Sequence, residues 1–165
     1  DVSTGSLGQG LSVAVGLAIG AELKAKNFNI YVILGDGEIQ EGQVWEAAMA
    51  AGNYKLDKIK AILDYNGLSV EGRIDELMSL EPLVEKWRAF NWHVREIDGH
   101  NMDHIVEALE DVAQFRGRPV LIVAHTIKGK GVSFMENNME WHASHMTEEG
   151  MRLALNELGT PLGDV

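Results

Sequence analysis

Two turns in this chain each follow an apolar run, and each offers one hard oxygen ligand. Gly35-Asp36-Gly37 follows Ile30 to Leu34, and Asn66 follows the run that begins at Ile59 and reaches Leu63. If the two runs are parallel strands of one sheet, both turns open at its carboxyl edge, where open α/β folds bind ligands. A carboxylate and an amide oxygen, flanked by glycines that admit close approach to the backbone, suit Mg²⁺ carrying a phosphorylated molecule. The pair reads as a metal-bridged diphosphate site. Taken alone, the aspartate turn has a plain alternative as a tight turn with a capping side chain; Asn66 at the next strand end is what weighs against it. Lys128-Gly129-Lys130-Gly131 and Trp141-His142 add cationic and imidazole donors within residues 127–145, although a solvated loop is the ordinary fate of such lysines. His142 and His145 near Glu140 have transition-metal spacing, for which surface coincidence is the stronger reading. His100 and His104 read as flanking a helix start without function. Other phosphate motifs fail: Gly8-Gln9-Gly10 has Val13 where a dinucleotide fingerprint needs glycine, and there is no P-loop.

Positioning these turns requires a particular order of elements. Residues 7–26 are apolar on every side, with Gly16 and Gly20 four apart, the pattern of a buried helix closely packed on a neighbour. Residues 30–34 form a continuous apolar run, as for a strand covered on both faces, and the alanine-rich stretch 43–52 follows as a helix. Residues 59–65 repeat the strand pattern. Pro82 opens a helix to Phe90, and residues 92–97 form a strand of mixed polarity. Asn101 caps a helix whose apolar face is Met102, Ile105, Val106, Leu109 and Val112, ended by Gly117. Residues 119–124 make the last strand. Alternating helices and strands with short connections predict an α/β fold, a mostly parallel sheet with helices on both faces. In that topology the glycine-rich loops 68–79 and 127–145 lie at the carboxyl edge beside Asp36. Both should depend on a ligand for their contacts.

Composition bounds the reading. The chain has 165 residues and 45% hydrophobic content, enough for one globular domain over 1–165 that buries roughly 70% of its unfolded surface. Lysine and arginine number 14 against 25 acidic residues, a net charge of −11, which leaves no basic field for nucleic acid or an anionic membrane. There is no cysteine, so disulfides and thiolate metal sites are excluded. The longest apolar stretch, residues 11–21, is short of the ~20 that cross a bilayer. Cytoplasm is the default location. Asp1-Val2-Ser3-Thr4 lacks an initiator methionine, so a piece of a longer chain is expected.

The residues around the two turns carry a resemblance. Gly35-Asp36-Gly37-Glu38-Ile39-Gln40-Glu41-Gly42, followed by Asp64-Tyr65-Asn66-Gly67-Leu68, resembles the thiamine diphosphate motif of transketolases, which opens on GDG and closes on an asparagine about thirty residues later. Here Asn66 lies 30 residues after Asp36. Ser3-Thr4-Gly5-Ser6-Leu7-Gly8-Gln9-Gly10 is similar to the family's loop before its first helix. Thr126-Ile127-Lys128-Gly129-Lys130-Gly131 with Trp141-His142 is similar to its closing segment. GDG alone is shared with other thiamine enzymes; the four blocks in order are specific.

That resemblance implies a thiamine-diphosphate-binding fold, with Mg²⁺ or Ca²⁺ held by Asp36, Asn66 and the Leu68 carbonyl. It implies that Gly35, Gly37 and Glu38 belong to the diphosphate turn and that Gly5, Ser6 and Leu7 line the ring side of the cofactor. Lys128 and His142 would contact diphosphate or sugar, His142 as a catalytic group. Glu41 would join a proton relay at the interface with a partner domain. Ala143 departs from the family's glycine after the tryptophan-histidine pair. The implied reaction moves a two-carbon ketol unit from a ketose phosphate to an aldose phosphate. It needs a pyrimidine-binding domain or C-terminal transketolase subunit, in a homodimer or heterotetramer, and without it the chain would be inactive. Alternatives stay open: a non-catalytic cofactor-binding remnant, a deoxyxylulose-phosphate synthase, a related dihydroxyacetone synthase, and, far behind, a flavodoxin-like receiver.

Overall fold

The computed structural model describes residues 2–160; Asp1 and residues 161–165, which the expected 1–165 domain includes, lie outside the described residues. Helix α1 (Gln9–Leu23) leads into β1 (Ile30–Gly35), a single 3-10 turn (Glu38–Gln40) and α2 (Gly42–Asn53). Strand β2 (Ile59–Tyr65) follows, then the short α3 (Ile74–Leu77), α4 (Leu83–Ala89) and β3 (His93–Asp98). Helix α5 (Met102–Gln114) and β4 (Val120–His125) complete the sheet, and a 3-10 turn (Met139–His142) and α6 (Glu148–Glu157) close the chain. No helix among the described residues is long and apolar enough to cross a membrane.

The four strands among the described residues are all parallel, in the order β1-β2-β4-β3. Two crossovers, β1 to β2 and β2 to β3, advance across the sheet in one direction, so right-handedness places α2 and α4 on the same face. There Val44, Ala48, Ala51, Leu83 and Trp87 join α1 and the inward side chains of β1 and β2 in the larger core. The step from β3 back to β4 reverses direction and carries α5 to the opposite face, where Ala108 and Val112 pack on Ile97, Val120 and Ile122. Helices therefore lie on both faces. Gly52 is where α2 meets the turn after α4, and a Cβ there would stand 1.8 Å from the Phe90 carbonyl oxygen. Nearby, the buried Trp92 donates its indole N–H to the Ala48 carbonyl at 2.9 Å.

Three expectations need correction. Strand β1 is covered on one face only: Tyr31 and Ile33 are 48% and 76% exposed. Helix α1 is not buried all round. It sinks Leu11, Ala14, Ala18 and Ala21 and leaves Val13, Leu17 and Leu23 exposed, and a Cβ at Gly16 or Gly20 would meet nothing within 4 Å. On α5, Asn101 caps as expected, accepting from the Asp103 and His104 amides at 3.0 and 3.2 Å, but Met102 and Val106 face solvent and Ala108 packs instead. An apolar pattern shows that a side chain seeks cover without showing which polypeptide supplies it.

Candidate diphosphate and cation site

Parallel register brings the strand ends together: Gly35 lies beside Asp64, Tyr65 beside His125, and Asp98 beside His125. Every strand thus discharges its turn at the same edge. Asp36 is 3% exposed. One carboxylate oxygen accepts the Gly37 amide at 2.8 Å and the other the Gly67 amide at 2.5 Å, so the aspartate is the bridge between the β1 and β2 turns. Burial raises its pKa, with the nearby Asp64 charge acting in the same direction and the backbone N–H donors opposing them. Among the described residues no basic side chain pairs with it. A buried carboxylate without a counter-charge is costly. A cation at this edge would supply the missing charge.

The β2 turn completes an oxygen set. Asn66 Oδ1 accepts the Leu68 amide at 3.0 Å, and its Nδ2 donates to Asp64 Oδ2 at 3.2 Å. Leu68 sits opposite Arg73 in an isolated antiparallel bridge, flanked by the Ser69 amide on Gly72 and the Ile74 amide on Gly67. In such a non-hydrogen-bonded pair the N–H and C=O of Leu68 both turn away from Arg73. Its carbonyl therefore lies on the Asn66 side, and among the described residues it accepts no hydrogen bond. Carboxylate, amide and carbonyl oxygens are the donors that Mg²⁺ and Ca²⁺ prefer. Gly37 has an ordinary φ of −63°, and a Cβ on it would make only van der Waals contacts, so nothing within the chain requires glycine there. What the missing side chain leaves open is an approach to the backbone for a ligand. The residues present fit a cation-bound diphosphate.

The first loop is fastened to this turn. Glu38 accepts the Gly8 amide with Oε1 at 3.0 Å and the Gly35 amide with Oε2 at 3.1 Å, so both of its oxygens are engaged by backbone. Glu38 thereby tethers the loop at Gly8 to the β1 turn. Gly8 itself has φ of 83° and lies against Glu41. Beyond that clamp Gly5, Ser6 and Leu7 are exposed at the start of α1, and Glu41 is exposed at the start of α2.

The segment after β4 is better organised than its glycines suggest. The Asn137 amide donates to the Lys128 carbonyl at 3.0 Å, the Val132 amide to Gly129 at 3.2 Å, and the Gly131 amide to Glu136 at 2.9 Å. Lys130 pairs with Glu136 at 3.5 Å, whereas half-buried Lys128 has no acidic partner among the described residues. His142 is exposed on its 3-10 turn, and Ala143, at φ −147°, stays outside the left-handed region that would call for glycine. No hydrogen bond among the described residues joins Lys128 or His142 to the Asp36 turn. His145 lines a separate hollow with Trp141 and Leu153, and no cluster of three His, Asp or Glu able to hold a metal is found among the described residues.

Two further residues hold the loops of this edge together. His100 accepts the Ile127 amide on Nε2 at 2.7 Å, which fastens the lysine loop to the β3 turn. Asp64 joins Asn66 to the Thr126 hydroxyl. Its signal was present: alternation along a strand puts residues 64 and 66 on one side.

Residues 1–162 match the family described as "Transketolase, thiamine diphosphate binding domain". The chain belongs to that transketolase family. It is 50% identical over 158 residues to the 6-deoxy-6-sulfo-D-fructose transketolase subunit of Clostridium sp. (strain MSTE9), covering 96% of this chain and 58% of the relative. It is 43% identical over 158 residues to a subunit of the apulose-4-phosphate transketolase of Phocaeicola vulgatus, covering 96% of this chain and 56% of that relative. The chain thus spans a little over half the length of these relatives. Among solved structures, the transketolase of Campylobacter jejuni superposes with a TM-score of 0.91 at 33% identity, over 97% of this chain and 26% of that one. In this transketolase domain the family's cofactor is thiamine diphosphate.

Proposed function

We propose that this chain is the diphosphate-binding part of a transketolase that moves a two-carbon ketol unit from an anionic ketose to an aldose phosphate. The observation that carries it is the buried Asp36 carboxylate, without a basic partner among the described residues, held against the Asn66 and Leu68 turn. Asp36, Asn66 Oδ1 and the Leu68 carbonyl would hold Mg²⁺, or Ca²⁺ in its place, on the diphosphate. Bound thiamine diphosphate supplies the electron sink for breaking and re-forming the carbon–carbon bond. Gly35 and Gly37 keep the backbone approachable, and Lys128 adds positive charge at the same edge. Gly5, Ser6 and Leu7, held in place through Glu38, line the ring side. His142 holds or moves a proton at a sugar hydroxyl. Glu41, exposed at the start of α2, carries a proton contact to the partner. The donor is a ketose with a terminal anion, in keeping with relatives named for a sulfonated ketose and for a sugar phosphate.

A partner with a pyrimidine-binding domain completes the site. Its docking surface is a stripe of α1 at i, i+3, i+4 and i+7, exposed at Val13, Gly16 and Leu17 and half-buried at Gly20. The decisive experiment measures ketose consumption by the full-length protein with thiamine diphosphate and Mg²⁺, first without and then with its partner. Turnover is expected only with the partner. Turnover in the partner's absence would refute the division of the site, and silence of the complete assembly would favour the remnant reading.

A further inference from the structure

Asp64 occupies a junction between two loops that the proposed site needs. Its Oδ2 accepts from Asn66 Nδ2 at 3.2 Å, and its Oδ1 accepts from the Thr126 hydroxyl. Its own carbonyl takes the Asp36 amide at 3.2 Å, and the Thr126 amide donates to the Tyr65 carbonyl at 3.1 Å. One side chain therefore reaches the turn that carries Asn66 and the first residue of the segment that carries Lys128.

The contact with Asn66 has a chemical consequence. An asparagine amide can be turned over, exchanging its oxygen and nitrogen, and only its neighbours decide which way it sits. In the observed orientation Oδ1 faces the Leu68 amide and Nδ2 faces a carboxylate. Turned over, an NH₂ would oppose an N–H and an oxygen would oppose the Asp64 charge, two repulsions in place of two hydrogen bonds. Only the observed orientation offers a cation an oxygen with a free lone pair on the side of the Leu68 carbonyl. Asp64 is itself exposed, so these bonds add little to folding stability.

We infer that Asp64 is a positioning residue that holds the Asn66 amide oxygen toward the cation and ties the cation turn to the lysine loop through Thr126. This rests on the proposed site at Asp36, Asn66 and Leu68. It predicts a loss of ligand affinity out of proportion to any loss of stability, and a rescue. Asp64→Ala removes both arms. Asp64→Asn keeps both, since its oxygen can accept from Asn66 and its NH₂ can donate to the Thr126 hydroxyl.

The test uses the full-length protein in complex with its partner. Thiamine diphosphate is titrated calorimetrically at fixed Mg²⁺, and hydrogen exchange of residues 126–131 is followed without cofactor. Asp64→Ala should weaken binding about 10- to 100-fold, the usual effect of losing a group that orients a metal ligand. Its melting temperature without cofactor should fall by no more than about 4 °C. Asp64→Asn should bind within about threefold of the parent. Thr126→Val, which cuts one arm only, should speed loop exchange and weaken binding less than Asp64→Ala. Parent-like affinity in Asp64→Ala, or unchanged loop exchange in both Asp64→Ala and Thr126→Val, overturns the inference. Asp36→Ala separates the two levels: if it abolishes binding while Asp64→Ala does not, the positioning role alone fails. If neither changes affinity, the site itself is wrong. Should Asp64→Ala fail to fold, Thr126→Val and Asp64→Asn still decide, and a weak-binding Asp64→Asn with slow loop exchange would count against the role.

Discussion

Replacing Asp36 by alanine separates what this carboxylate does for the fold from what it does for a ligand. In the cofactor-free protein the change leaves the Gly37 and Gly67 amides without their acceptor, at 2.8 and 2.5 Å in the parent. Each unsatisfied buried donor costs about 1–3 kcal/mol. Against that, the variant escapes the burial of a carboxylate that no basic side chain offsets among the described residues, the burden that pushes its pKa up. The two effects oppose each other, so stability without ligand should fall by less than the roughly 2–6 kcal/mol that two bare donors alone would cost. With ligand there is no such cancellation. A cation in the site loses the one anionic ligand the turn gives it, and removing one partner of a buried ion pair costs about 3–5 kcal/mol. At about 1.4 kcal/mol per tenfold, thiamine diphosphate should bind some 10²- to 10⁴-fold more weakly in the presence of Mg²⁺. Calorimetric titration of the assembled enzyme measures the affinity, and thermal unfolding without ligand measures the stability. Affinity within threefold of the parent, together with a large drop in melting temperature, would make Asp36 a turn residue and nothing more.

Gly129→Ala should act on the lysine loop in isolation. Gly129 has φ of 71°, and a Cβ would lie 2.5 Å from the Met135 carbonyl oxygen. A left-handed alanine alone costs roughly 1–2 kcal/mol. Cofactor affinity should fall about tenfold if the loop moves by that energy; unchanged affinity and unchanged exchange of residues 127–137 would show that Lys128 is not held by this network. Lys60 offers a test at the opposite end of the sheet. It is fully buried, donates to the Asp57 and Phe115 carbonyls at 2.6 and 3.1 Å, and burial pushes its pKa down to about 8. Below pH 8 it is charged in both states and the fold bears the cost. Between 8 and the ordinary 10.5 the unfolded chain holds the proton and the folded one does not, so stability rises with pH. The parent should gain up to about 3 kcal/mol over that window relative to Lys60→Met, read from denaturant unfolding at each pH. Parallel pH profiles would show that the amine is not desolvated.

The strands and their turns are legible in the sequence because each signal is local and redundant. Residues 30–34 are an unbroken apolar run ended by Gly35, residues 61–63 are the apolar centre of a second strand that ends at Asn66, and parallel pairing then forces Asp36 and Asn66 to one edge. Side-chain partners are not legible in the same way. Glu38 belongs to the ligand turn by position, but the 3-10 turn swings its carboxylate onto the Gly8 and Gly35 amides, a contact across 30 residues that no spacing reveals. His100 reads as idle beside a helix start, yet its acceptor nitrogen is used by Ile127 on another strand's loop. Helix α6 is hidden in the sequence although Thr147 caps it, accepting the Gly150 amide at 3.0 Å, with Glu148 and Glu149 in the first turn. Its signal is short and starts just beyond loop 127–145, with Gly150 inside its first turn.

The exposed face of α1 links the two halves of the proposed enzyme in a concrete way. Helix α1 begins at Gln9, directly after the loop of Gly5, Ser6 and Leu7, and Glu38 pins that loop to the end of β1 beside Asp36. A partner domain seated on Val13, Gly16, Leu17 and Gly20 lies along the helix that leaves the ring-side loop, with no flexible connection between them. On the inner side the same helix is anchored by Leu11, Ala14 and Ala18 in the core shared with β1 and α2. Placing the partner on this stripe therefore fixes its distance from the cation turn through rigid structure, which is what catalysis across two chains requires when reacting groups must be held to within a fraction of an ångström. With the partner on that stripe, glycines at 16 and 20 would let its backbone approach the helix closely; an added Cβ at either position meets nothing of this chain within 4 Å, so a side chain there should push the two halves of the proposed site apart.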